Sequence, residues 1–255
     1  SGNWNSPGTW TNCGGNIPQT GDTVEILNGH TVTLSANASV GSAGSVIVKG
    51  GGILNLAQYS LTAGTLSIED GGEVQQGGSS TAPSGTITTR SYATNSTYTF
   101  NGTQAGLSGT HPTYGNLKFA PTPTGNGTFA VNLDVAGDLT IALGSSYEVR
   151  FATLTTARTH SIGGDLNIQS GTIVGNNGSA ESTISIGGDI NVTGGIFRGT
   201  NDSGNANFKV KGNITSNGGT WQLDDGSSTG SFSVTCEGSS QQIGGSDTIR
   251  VDNLA

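Results

Sequence analysis

Short alternations of hydrophobic and polar residues recur along the chain at nearly fixed intervals. In the second half, Leu139-Thr140-Ile141, Leu166-Asn167-Ile168, Ile190-Asn191-Val192 and Ile214-Thr215 each follow a glycine and a small polar residue. These leaders are Gly137-Asp138, Gly164-Asp165, Gly188-Asp189 and Gly212-Asn213, spaced by 27, 24 and 24 residues. A period of two marks a strand with one buried face. Two more such segments follow in each unit. The second set runs from Tyr147 to Arg150, Thr172 to Val174, Ile196 to Arg198 and Thr220 to Leu223. The third runs from Thr159 to Ile162, Thr183 to Ile186, Asn207 to Val210 and Phe232 to Val234. Turns rich in Gly, Asn and Ser separate them.

A unit this small cannot enclose its own apolar face, so successive units must stack. The pattern predicts an all-β fold, a single-stranded parallel β-helix (β-solenoid) with about three short strands per rung. Right-handed winding is the expectation for parallel crossovers. Three interior stacks are predicted: Leu139, Leu166, Ile190 and Ile214; Val149, Ile173, Phe197 and Trp221; and Ile162, Ile184, Phe208 and Phe232. The first half repeats the logic with shorter rungs, through Val24-Glu25-Ile26, Val46-Ile47-Val48 and Leu66-Ser67-Ile68, each followed by a second strand. The chain is read as one domain over 1–255. It has N-terminal rungs with a Trp-containing cap segment (1–76), an irregular middle with long loops (77–130), and regular rungs (131–255). About ten rungs at about 4.8 Å each predict a body about 50 Å long. The segment from Tyr98 to Gln104 has a counterpart from Phe232 to Gln241, after which the sequence stops in mid-strand at Ala255. The C-terminal end is therefore expected to be open.

Composition removes several alternatives. Glycine accounts for 44 of 255 residues and costs about 1 kcal/mol at each helical position, which argues against a helical protein. The glycines lack the three-residue period of collagen. Charged residues are only 10 %, and β-branched runs recur, which opposes disorder. No apolar run approaches the roughly 18 residues of a membrane span. The net charge of −8 argues against a nucleic-acid partner. The sequence starts without Met or a secretion signal, as expected of a mature or excised piece.

Candidate chemistry is sparse. Asp138, Asp165 and Asp189 form a column that either holds Ca²⁺ or makes turn hydrogen bonds; Asn213 in the next unit favours turns. Glu69-Asp70 and Asp224-Asp225 are adjacent acids before glycine, again in turn-like settings. His30, His111 and His160 stand apart, without a nucleophile signature. No catalytic, cofactor or metal residue is assigned. Tyr92, Tyr98 and Tyr114 lie in the irregular middle and are the candidate glycan-contact aromatics, whereas Trp4 and Trp10 are expected to plug the N-terminal end of the core. Eight Asn residues (37, 95, 101, 126, 177, 191, 201 and 213) begin N-glycosylation sequons. Cys13 and Cys236 are too far apart along a straight solenoid for an intrachain bond. They are either separate thiols or an interchain disulfide between subunits stacked head to tail.

Trp4, Trp10, Pro18, Gly21-Asp22-Thr23-Val24-Glu25-Ile26, Gly29 and Val32-Thr33-Leu34 occur in order and lead into the segment from Val46 to Leu56. This opening resembles secreted β-helix surface proteins of Bacteroidetes type and is similar to the G8 domain of extracellular proteins. The resemblance implies an extracellular or cell-surface setting. It also makes Thr23 and Thr248, each in an Asp-Thr-Val or Asp-Thr-Ile triplet, candidates for O-glycosylation. The expected function is a non-enzymatic structural or adhesive solenoid associating end to end into a surface fibre. The alternatives are a carbohydrate-binding adhesin module from a larger surface protein, with extracellular glycans as partners, and a β-helix polysaccharide lyase or glycoside hydrolase.

Overall fold

Alternation dictates the local structure. In Thr23–Ile26, Ser182–Ile186 and Ala206–Val210 every second residue is buried and its neighbours face outward. A computed structural model describes residues 1–11, 14–79, 83, 85–103, 106–120, 126–144, 146–224, 226 and 229–255. Its strands form four sheets, and every pairing within them is parallel. The chain is a β-solenoid.

One sheet of eleven strands runs the length of the molecule, from Gly2–Asn3 to Ile243–Gly245. A four-stranded sheet completes the early rungs: Thr23–Ile26, Ala38–Val48, Leu61–Ile68 and Ile87–Tyr92. Two six-stranded sheets complete the later ones. Three strands per rung therefore holds from the middle onward. The early rungs use two sheets, because Ala38–Val48 continues through a corner, with register shifts around Gly41. The middle is continuous with both ends: Thr97–Phe100 and Asn116–Phe119 pair in the long sheet. It is where the four-stranded sheet stops and the two later sheets begin.

The first two predicted stacks are present in register. Leu139, Leu166, Ile190 and Ile214 pair in succession, as do Val149, Ile173, Phe197 and Trp221. The third stack needs correction. Ile162 pairs with Ile186, and Ile186 with Val210, while Ile184 pairs with His160 and Phe208, and Phe208 with Val234. Phe232 stacks instead on Ala206. The predicted column mixed neighbouring inward positions, which sit two residues apart on the same face.

The core carries an aromatic spine. Ring centroids step from Phe100 to Phe119 (5.3 Å), Phe129 (5.4 Å), Phe151 (5.4 Å), Phe208 (5.9 Å), Phe197 (4.9 Å) and Trp221 (4.4 Å). Each such pair adds about 0.5–1.5 kcal/mol beyond its buried area. At the N-terminal end Trp4 is 1 % exposed, and Trp10 packs against it edge-on at 5.0 Å. The Trp10 indole N–H donates to the Trp4 carbonyl at 2.8 Å.

The Gly-Asp dipeptides have a steric origin. A Cβ on Gly164, Gly188 or Gly212 would lie 2.1–2.2 Å from Oδ1 of the aspartate one rung earlier (Asp138, Asp165 and Asp189). The corner has no space for a side chain. Gly188→Ala is expected to cost about 3 kcal/mol, from overpacking and a displaced hydrogen bond. Gly8→Ala, where a Cβ meets nothing within 4 Å, should change stability by less than about 0.5 kcal/mol. Equal urea-unfolding midpoints for the two variants would refute this account.

Candidate functional site

The aspartate column serves the corner. Asn116 Oδ1 accepts the Asp138 N–H at 2.8 Å, Asp138 Oδ1 accepts that of Asp165 at 2.8 Å, and Asp165 Oδ1 that of Asp189 at 2.7 Å. Asp189 Oδ1 accepts the Asn213 N–H at 2.6 Å, and Asn213 Oδ1 that of Gln242 at 2.9 Å. Asn and Asp both serve in one ladder because only a carbonyl-type oxygen is needed. Asn132 and Asn205 play the same part at another corner, toward Thr159 and Ser231. Asp165→Ala should cost about 1 kcal/mol by stranding the Asp189 N–H, whereas Asp165→Asn should be close to neutral. Adding Ca²⁺ or EDTA should leave the wild-type melting temperature unchanged. A large Ca²⁺-dependent rise would return the column to metal binding.

The other acids are also engaged. Glu69 and Glu25 lie 2.8 and 3.2 Å from the Lys49 ammonium, whose pKa their hydrogen bonds raise. Asp70 accepts the Asn95 N–H, and Asp224 accepts that of Gly226 in a turn. Asp225 and Cys13 lie outside the described residues. Cys236 is a half-buried free thiol at the end of the strand Phe232–Cys236. Thr23 and Thr248 are both exposed.

The tyrosine expectation is overturned. Tyr98 is 2 % and Tyr114 0 % exposed, so neither offers a face to a glycan. Their rings, with that of Tyr92, cluster at 5.6–5.9 Å in the core where the four-stranded sheet ends. The Tyr98 hydroxyl bonds Gln76, and the Tyr114 hydroxyl meets His111 Nδ1 at 2.7 Å. Tyr92 is half-buried with its hydroxyl inside, and burial raises its pKa. Alternation alone could not distinguish a surface tyrosine from one filling the core where the four-stranded sheet gives way to the later two.

The histidines are separate too. His30 is exposed beside the N-terminal amine, at 2.8 Å. His160 is 0 % exposed, and its Nδ1 accepts the Leu133 N–H at 3.1 Å. Burial pushes its pKa down to about 4; the nearby Arg158 charge adds to this, and the Phe151 backbone offsets part. The unfolded chain protonates this ring near pH 6.5, the native chain only near pH 4. Stability should therefore fall as the pH drops from 6.5 to 4, by about 3 kcal/mol from this group. His160→Leu, less stable at pH 7, should lack that part of the pH dependence; parallel wild-type and variant pH profiles would refute the assignment.

Sequence reasoning missed a polar cluster on the outer face of the sheet containing Glu148–Arg150, Thr172–Gly178 and Ile196–Thr200. Arg150 and Arg198 flank Val174 in the register, and Val174 is 0 % exposed although it faces outward. Glu148 bridges the two guanidiniums, bonding Arg150 through Oε1 and approaching Arg198 at 3.7 Å through Oε2. Arg198 also donates to Gln222 at 2.9 Å and Asn201 at 3.2 Å. Beside this clasp lies a groove of about 490 Å³ lined by Thr128, Arg150, Thr155, Asn177, Ser179 and Asp202. The available signal was two arginines in the same strand phase, at positions 150 and 198, two rungs apart.

With this geometry defined, the family comparison separates the two halves. Residues 9–124 match the G8 domain. The G8 match takes in the whole four-stranded sheet and five strands of the long sheet. The groove lies beyond it. Neither a curated protein nor a solved structure matches the chain.

Proposed function

We propose that this chain is a non-enzymatic, extracellular structural or adhesive β-solenoid that stacks end to end with further copies. The extracellular setting, and secretion by a Bacteroidetes-type bacterium, rest on the resemblance of the opening residues. The observation that supports stacking is the last rung. Ile243 and Leu254 are 40 % and 58 % exposed on Ile243–Gly245 and Asn253–Leu254, each paired on one side only. Strand edges with unpaired backbone groups beside apolar side chains favour addition of another strand. Axial addition without closure gives a filament.

Negative-stain microscopy and sedimentation of the purified chain test this. Filaments or axial multimers are expected, and Ile243→Lys with Leu254→Lys should reduce association at least tenfold without lowering the melting temperature. Cys236→Ser should weaken the filaments under oxidising conditions if a disulfide locks the junction. Single rods at all concentrations would reject the fibre. The groove beside Arg150 favours a second reading, a glycan-binding adhesin module: its lining of hydroxyl, amide and charged side chains matches the hydrogen-bonding demands of a sugar.

A further inference from the structure

The groove itself narrows the class of ligand. Its volume, about 490 Å³, lies in the usual range of small-molecule sites, roughly 300–1,000 Å³. Its lining comes from four successive rungs: Thr128; Arg150 and Thr155; Asn177 and Ser179; and Asp202. At about 4.8 Å per rung it extends about 14 Å along the axis. A chain-like ligand would therefore lie parallel to the solenoid.

The donors and acceptors are mixed. The Arg150 guanidinium is held by Glu148 through Nε and one terminal nitrogen. Its other nitrogen has no hydrogen-bond partner among the described residues and can donate into the groove. Asp202 is exposed; its Oδ1 accepts the Ser203 N–H at 2.7 Å, and a carboxylate has lone pairs for more than one donor, so it can also accept from a ligand hydroxyl. Asn177 and the three hydroxyl residues do both.

Charge then decides between sugars. Arg150 and Arg198 give +2, and Glu148 and Asp202 give −2, so the local sum is zero. The chain as a whole carries −8. A polyanion would meet no surplus cation here and a repulsive field around it. A neutral sugar loses nothing by that field, and its hydroxyl groups can donate to Asp202 and accept from Arg150.

We propose that this groove binds a neutral, hydroxyl-rich saccharide segment lying along the solenoid axis, with Asp202, Asn177 and Arg150 as its principal contacts. The proposal rests on the glycan-binding reading and adds both the site and the charge class. Among the described residues no exposed aromatic lines the groove, so each site should bind weakly, with tight adhesion coming from several aligned copies.

The test is affinity electrophoresis of the whole chain in gels containing laminarin, xylan or mannan (neutral) or polygalacturonate or heparin (acidic). Retardation by at least one neutral polysaccharide is expected. Asp202→Ala, at an exposed position, should weaken it at least tenfold with an unchanged melting temperature. Arg150→Lys, which keeps the charge but loses the planar fork, should weaken it several-fold. Retardation by neutral glycans that survives both substitutions would overturn this site and leave the glycan reading standing. Retardation only by the acidic polymers would overturn the charge class. No retardation by any glycan would reject the glycan reading and the site together.

Discussion

The close approach of one rung to the next governs this molecule. Parallel strands held at hydrogen-bonding distance leave the corners no freedom, because the backbone must turn there without drifting from the rung beneath. At the aspartate corner the chain meets this demand with a glycine that leaves room and an Asp or Asn that reaches the next backbone N–H. In the early rungs the turns at Gly29, Gly51 and Gly71 do so differently. Each glycine has a positive φ, and the first two donate to the carbonyl of the glycine above at 3.0 and 2.8 Å. The interior packing and the flat outer faces depend on these corners holding register.

Much of this was legible because the repeat is strict where geometry is strict. The spacing of Gly-Asp dipeptides identified the rungs, and Leu139, Leu166, Ile190 and Ile214 fell in line because each follows the same constrained corner. The third stack differs because each of its strands has more than one inward position, such as Ile184 and Ile186 or Phe232 and Val234, and alternation alone does not say which of them pair. A buried histidine also breaks the apolar pattern: His160 sits inward at the position that Ile184 and Phe208 take in the following rungs.

The candidate site was less legible for a related reason. Outward positions carry no periodic constraint, so Glu148, Arg150 and Arg198 read as ordinary surface charges until the register set them side by side. The tyrosines misled in the opposite direction. They occur where two sheets give way to three, and the altered cross-section of the core is filled by large rings. Irregular sequence there reflects a change of internal shape; it does not mark a binding surface.

The corner ladder has an evolutionary corollary. Each rung offers the next the same acceptor, whether Asp165 toward Asp189 or Asp189 toward Asn213. The surface it presents is therefore nearly the surface it receives. A 24-residue rung can be gained or lost by gene duplication or deletion while the remaining corners still meet a matching partner. The length of such a body is then free to vary between descendants while its cross-section stays fixed.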